Sequence, residues 1–180
     1  MEKKKKVRDA CNVCYVLYTY VKFASENLLC YLELGQFREM AKRKWQQQSD
    51  VDVTDSFGDH FVLNAGLPQS SIVNNDQVCD AQKAISLIEK YIAVGSQYEV
   101  NLAYEMRMKY VTLLQQYRRP QCDTQNQQVN PFDLMSLSDF VFLFDPVLKE
   151  LSRLMRHSYS RFVTTAAYRS FVDYVKPLHP

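Results

Sequence analysis

Cys30, Leu34, Phe37, Ala41 and Trp45 recur every three or four residues, while Glu39, Lys42, Arg43 and Gln46 collect on the opposite side. That spacing lays an apolar stripe along one face of an α-helix and leaves the other face to water. Turn-forming residues extend the helical reading to the rest of the chain. Four glycines and six prolines in 180 residues are too few for the many tight turns of a β-sandwich, so long helices are favoured.

The same period recurs along the chain. Val7, Ala10, Cys11, Cys14, Leu17, Tyr18 and Val21 predict a first helix that breaks near Phe23-Ala24-Ser25. Ser25 is then expected to cap the striped helix, with Glu26 in its first turn, where the helix dipole favours an anion. Asp80 is expected to cap a helix with Ala84, Leu87, Ile88, Tyr91 and Ile92 on its buried face, and Gly95 ends it. A short corner follows, Gln97-Tyr98-Glu99-Val100-Asn101-Leu102, in which Val100 and Leu102 anchor and Glu99 and Asn101 point outward. Asn101 either caps the next helix or holds an amide at one fixed place, able to donate and to accept.

Leu102, Met106, Tyr110, Leu113, Leu114 and Tyr117 mark that next helix, which Arg118-Arg119-Pro120 stops, because proline disfavours the helical conformation in the residue before it. Phe132 to Phe144 is apolar and ends at Asp145-Pro146, read as an N-cap and a first-turn proline. Val147, Leu148, Leu151, Leu154 and Met155 give the following helix face; Arg156-His157-Ser158-Tyr159 reads as its break, before a last helical piece from Thr165 to about Val175. Two polar stretches without a period read as loop insertions, at 46–79 and 118–131, both long for a compact domain. The organisation expected is one all-α domain over 7–176 behind a basic terminus, 1–6.

Composition narrows function by exclusion. A net charge of +2 gives no whole-chain case for nucleic acid. Five cysteines, an odd number with no signal peptide before them, point to a reducing, cytoplasmic setting. Cys11-Asn12-Val13-Cys14 has a ligand-like gap, but no second pair follows at zinc spacing, so buried free thiols are expected there. No apolar run is long enough to span a membrane; Lys3 to Lys6 could at most be drawn weakly to an anionic membrane surface. The chain shows no glycine-rich phosphate loop, no histidine pair at metal spacing and no nucleophile–base arrangement, so neither a catalytic site of its own nor a cofactor is expected.

Three segments carry a resemblance. Glu26-Asn27-Leu28 opens the striped helix and continues Leu29-Cys30-Tyr31-Leu32-Glu33-Leu34; Glu99-Val100-Asn101-Leu102 forms the corner; Phe144-Asp145, Leu154-Met155 and Ser158-Tyr159-Ser160-Arg161-Phe162 close the chain. In order and spacing these resemble the RGS domain, the regulator of G-protein signalling box, over about Arg8 to Tyr174 once the two insertions are set aside. The resemblance implies an RGS-like multi-helix bundle that binds the α subunit of a heterotrimeric G protein in its GTP or transition-state form. Such a domain accelerates GTP hydrolysis and switches off signalling without donating a catalytic group. Gα carries its own arginine and a water-orienting glutamine, and tighter binding of the transition-state shape is the source of the acceleration.

Carried over residue by residue, the contacts implied for Gα are Glu26 and Asn27 at the first corner, Glu99 and Asn101 at the second, and Leu154, His157, Ser158 and Arg161 near the end. The resemblance implies a monomeric activator, cytoplasmic or at the inner face of the plasma membrane. The chain departs from the family in two places. Ala24-Ser25-Glu26-Asn27 has lost one serine and one acid, and His157 stands beside or in place of an aspartate. Histidine cannot copy a carboxylate acceptor, and this sets the alternative: an RGS-homology scaffold or docking module without activator activity.

Overall fold

A computed structural model describes residues 25–49, 69–118 and 131–175. Its elements are α1 (Ser25–Gln48), α2 (Asp80–Leu87) continued by one π-helical turn (Ile88–Ile92), α3 (Tyr104–Arg118), α4 (Leu137–Phe142), α5 (Asp145–Phe162) and α6 (Ala166–Val175). Among the described residues there is no strand, and the protein is an all-α multi-helix bundle. The basic run at Lys3–Lys6, the helix expected from Val7, the Cys11–Cys14 pair and most of both insertions lie outside the described residues.

The bundle is built around α1. Cys30, Leu34, Phe37 and Ala41 are fully buried, as their spacing requires. The middle of α1 goes further: Leu34, Gly35, Gln36, Phe37 and Arg38 are all buried in succession, because α2, α4 and α5 pack around it. Phe37 sits edge-on to Phe140 and Phe144, with ring centroids 6.3 and 5.5 Å away. Tyr110 of α3 stacks on Phe144 at 5.8 Å and donates its hydroxyl to the Leu143 carbonyl at 2.8 Å. Each such side chain removed from water contributes roughly 1.5–3 kcal/mol before the entropy of ordering it is subtracted.

Ion pairs fix the directions of the helices. Lys44 at the end of α1 meets Asp80 at the start of α2, at 2.6 Å, while Glu33 meets Lys90 at 2.8 Å. The chain from Asp80 to Ile92 therefore runs antiparallel to α1. Arg38 Nε donates to Asp145 Oδ1 at 2.9 Å at the start of α5, and Met155, further along α5, packs on Leu28 and Leu32 near the start of α1. Hence α5 is also antiparallel to α1. The first turn of α1, the corner after Ile92 and the last turns of α5 come to the same end of the bundle.

Several local expectations are corrected. Ser25 lies inside α1, and its hydroxyl reaches Glu26 Oε2 at 3.4 Å. Asp80 does not cap α2: Cys79 occupies the N-cap position without a side-chain bond, and the Asp80 carboxylate is taken by Lys44. Asp145 does not cap α5 either; Phe144 holds that position and Asp145 faces Arg38. The capping box of the region is at Ser136 and Asp139, opening α4. Arg156–Tyr159 is no break, since α5 runs without interruption to Phe162. Met155 and Phe162 are buried on either side of that stretch, and the Ser158 and Ser160 hydroxyls bond back to the carbonyls of Leu154 and Arg156.

The first insertion is also shorter than its 46–79 reading. Gln46 to Gln48 belong to α1, and the far end of the insertion is docked on the core. Val73 is 3% exposed. The Ser70 amide donates to Gln36 Oε1 at 2.8 Å, and buried Lys83 donates to the Val73 carbonyl at 2.7 Å. In the second insertion, Arg118 is still the last residue of α3.

Candidate functional site

The corner between the π-helical turn and α3 is set by a buried arginine. Arg107 lies in the first turns of α3, within the apolar stripe, and is 9% exposed. Its guanidinium donates to the carbonyls of Ile92 at 3.2 Å and Val100 at 2.8 Å, and it pairs with the Glu99 carboxylate. The other oxygen of Glu99 accepts the Gly95 amide at 2.7 Å. Gly95 has φ +76°, a conformation glycine adopts without a Cβ penalty, and this turns the chain away from Ile92. The Val100 amide returns to the Tyr91 carbonyl at 2.9 Å. Val100 and Leu102 are buried as anchors.

Glu99 stays exposed as expected, but both of its carboxylate oxygens are taken within the corner. Asn101 also faces outward. It is exposed, has no hydrogen-bond partner among the described residues, and precedes the start of α3 at Tyr104 by too much to cap it. Val94 and Tyr104, 74% and 75% exposed, flank it in sequence.

The first turn of α1 supplies Glu26 and Asn27, both half-buried. Asn27 Oδ1 is shielded from water with no hydrogen-bond partner among the described residues. Buried amide oxygens are rarely left so, because the lost hydration costs about 1–3 kcal/mol. Leu28, next along, packs on Met155, which brings the start of α1 against the last turns of α5. There Leu154 and Ser158 are half-buried, and His157 and Arg161 are exposed. Phe162 is buried and meets Tyr168 of α6 edge-on at 5.3 Å.

The structure thus gathers all three segments at one end of the bundle, with Glu99 as a structural member and Asn27, Asn101, Ser158 and Arg161 as its polar groups. The polar groups toward that end are amides, a hydroxyl and a guanidinium, with the Asn27 side-chain oxygen shielded from water. No group of three or more histidine, cysteine or acidic residues that could hold a metal ion occurs among the described residues, and none of their helices is long and apolar enough to cross a membrane. Cys30, fully buried, has its thiol pushed up by desolvation and is a packing group.

Periodicity does not single out Arg107, since it assigns charged residues to solvent by default. A signal is nonetheless present in the sequence: an arginine between Met106 and Tyr110, inside an apolar stripe, shortly after a corner bearing a carboxylate. Among known proteins, no family model, no curated protein and no solved structure matches this chain.

Proposed function

We propose that this chain is an RGS-like activator of GTP hydrolysis by a heterotrimeric G-protein α subunit. The observation that carries the reading is the convergence of the three segments. Asn101 on a braced corner, Asn27 at the start of α1, and Leu154, Ser158 and Arg161 on α5 share one end of an all-α bundle. Amides on a rigid frame suit recognition of a partner's backbone, because they pair with groups of either polarity. A surface of this kind accelerates a reaction in its partner by fitting the partner's transition-state shape better than its ground state.

The test is single-turnover GTP hydrolysis by a panel of Gα subunits with and without this protein. Acceleration by at least one subunit, lost in Asn101→Ala, is the expected result. Unchanged rates across the panel, with no binding to the GDP–fluoroaluminate state, would reject the reading.

His157 favours a second reading. It is exposed on α5 where the resemblance implies a carboxylate, and an imidazole supplies no carboxylate acceptor. Under that reading the same end docks Gα without accelerating hydrolysis. Binding to Gα with no change in turnover would identify it.

A further inference from the structure

Resting on the reading above, we infer that Lys90 is a positioning residue for the Gα contact, fixing the corner that carries Asn101 to the helix that carries Asn27. Lys90 lies in the π-helical turn just before the corner. Its ammonium donates to both carboxylate oxygens of Glu33 on α1, at 2.8 and 3.0 Å. The same ammonium sits over the Tyr91 ring, 5.0 Å from its centroid, and over the ring of Tyr98 in the corner, at 5.6 Å. The Tyr98 amide in turn donates to the Lys90 carbonyl at 3.3 Å, and the two tyrosine rings lie 6.1 Å apart.

This tie differs in kind from the one made by Arg107. The guanidinium of Arg107 bonds to Ile92, Glu99 and Val100, so it sets the shape of the corner. Lys90 reaches out of the corner to α1, so it sets where the corner stands. Glu33 follows Asn27 by six residues on one continuous helix, and Asn101 follows Tyr98 by three residues in the corner. A short route from one amide to the other runs through the Glu33–Lys90–Tyr98 contact.

A cation within about 6 Å of a ring centroid is attracted by the ring's quadrupole. The Glu33 and Lys90 side chains are 15% and 29% exposed, so salt weakens this pair less than one at the surface. Recognition by fixed polar groups needs them held within about 0.5 Å of the productive geometry. A corner braced internally but loosely placed would present Asn101 in the right shape at the wrong distance.

The test uses the full chain and its binding to Gα subunits in the GDP–fluoroaluminate state. Lys90→Met keeps the stem and removes the ammonium; Glu33→Gln cuts the same tie from α1 and leaves the lysine on the rings. Each is expected to weaken binding by about tenfold, the low end for a lost interface hydrogen bond, since a displaced amide loses the bond that an absent one loses. In an Asn101→Ala background neither is expected to cost more than about twofold further, because both act through that amide. Lys90→Arg, which keeps the charge and the ring contacts, is expected to retain most of the affinity. In the free protein, exchange of the Tyr98 amide is expected to quicken in Lys90→Met while α1 and α5 stay protected. Full affinity in folded Lys90→Met and Glu33→Gln overturns the inference and leaves the activator reading standing. A loss that simply adds to that of Asn101→Ala, or that comes with lower protection of the whole bundle, also overturns it and assigns Lys90 to overall stability. No binding of the wild-type protein to any Gα overturns both.

Discussion

Glu99 and Arg107 form an ion pair across the corner that presents Asn101, and the pair is stitched to the backbone on both sides. Arg107 holds the Ile92 and Val100 carbonyls while Glu99 holds the Gly95 amide. Removing the guanidinium leaves two carbonyls and a carboxylate without their donor. Arg107→Ala is expected to destabilise the fold by several kcal/mol, at about 1–3 kcal/mol for each buried group left unpaired. Arg107→Lys, a point charge without the fork, should recover only part of that. Urea unfolding gives the stability, and faster hydrogen exchange at Gly95 and Val100 would place the damage at the corner.

Asn101 is expected to behave in the opposite way. It is exposed and has no partner among the described residues, so Asn101→Ala should leave the stability within about 0.5 kcal/mol of the parent. Its effect should appear in binding: loss of a hydrogen-bonding amide at an interface costs ~1–3 kcal/mol, or on the order of tenfold to a hundredfold in affinity for GDP–fluoroaluminate Gα. Unchanged affinity in a folded variant would remove Asn101 from the proposed contact.

These two neighbours show where sequence reading succeeds and where it stops. The stripe from Cys30 to Trp45 is legible because burial follows a local period, and the corner is legible because a glycine and two apolar anchors punctuate it. The outward position of Asn101 follows from the same anchors. Arg107, Gln36 and Arg38 are not legible as groups held inside the fold, nor is exposed Glu99 as the partner of Arg107. Each is satisfied by a partner that only the fold brings near: Asp145 stands 107 residues from Arg38. A hydrophobic pattern counts such residues as solvent-facing. The break expected at Arg156–Tyr159 is absent for a related reason. Polar residues there mark the wet side of a helix still anchored by Met155 and Phe162.

The Arg38–Asp145 pair should be costly to break. Both side chains are largely buried, 6% and 12% exposed, at the crossing of α1 and α5. Removing Asp145 takes the carboxylate from the buried Arg38 Nε while Glu39 stays 3.7 Å from Nη1, so the cost falls toward the low end of about 3–5 kcal/mol. Asp145→Ala is expected to lose that much in urea or thermal unfolding. Pairing it with Arg38→Met should restore part of the loss, because the buried guanidinium that lost its Asp145 partner is then removed. A double variant no better than Asp145→Ala would show that the cost lay in lost packing.

The start of α4 predicts a pH dependence. The Ser136 hydroxyl and the Ser136 amide each donate to the Asp139 carboxylate at 2.7 Å and hold its pKa below the ordinary carboxylate range. A carboxyl whose pKa is lower in the folded state binds fewer protons there than in the unfolded chain. Its contribution is therefore present above the unfolded value and lost as pH falls through the folded one. Asp139→Asn should be less stable than the parent near neutrality, with the difference closing as pH drops below the carboxylate range. Denaturation midpoints of both proteins across that range measure it; a difference that stays constant with pH would assign the effect to helix capping geometry and not to charge.

Gln36 tests whether the end of the first insertion belongs to the core. Its side-chain oxygen takes the Ser70 amide at 2.8 Å, and both residues are buried, at 7% and 3% exposed. Ser70 in turn organises a turn, accepting the Val73 amide on its hydroxyl at 3.3 Å and the Asn74 amide on its carbonyl at 3.0 Å. Gln36→Leu keeps most of the volume but leaves the Ser70 N–H buried and unpaired, at ~1–3 kcal/mol. The segment can escape that penalty by lifting off, so local opening should become cheaper than global unfolding. The expected result is faster amide exchange from Ser70 to Asn74 and quicker proteolysis in this segment. Global stability should fall by less than the amide penalty alone. An equal loss of protection across α1, α2 and α5 would mean that the turn and the bundle open as one unit.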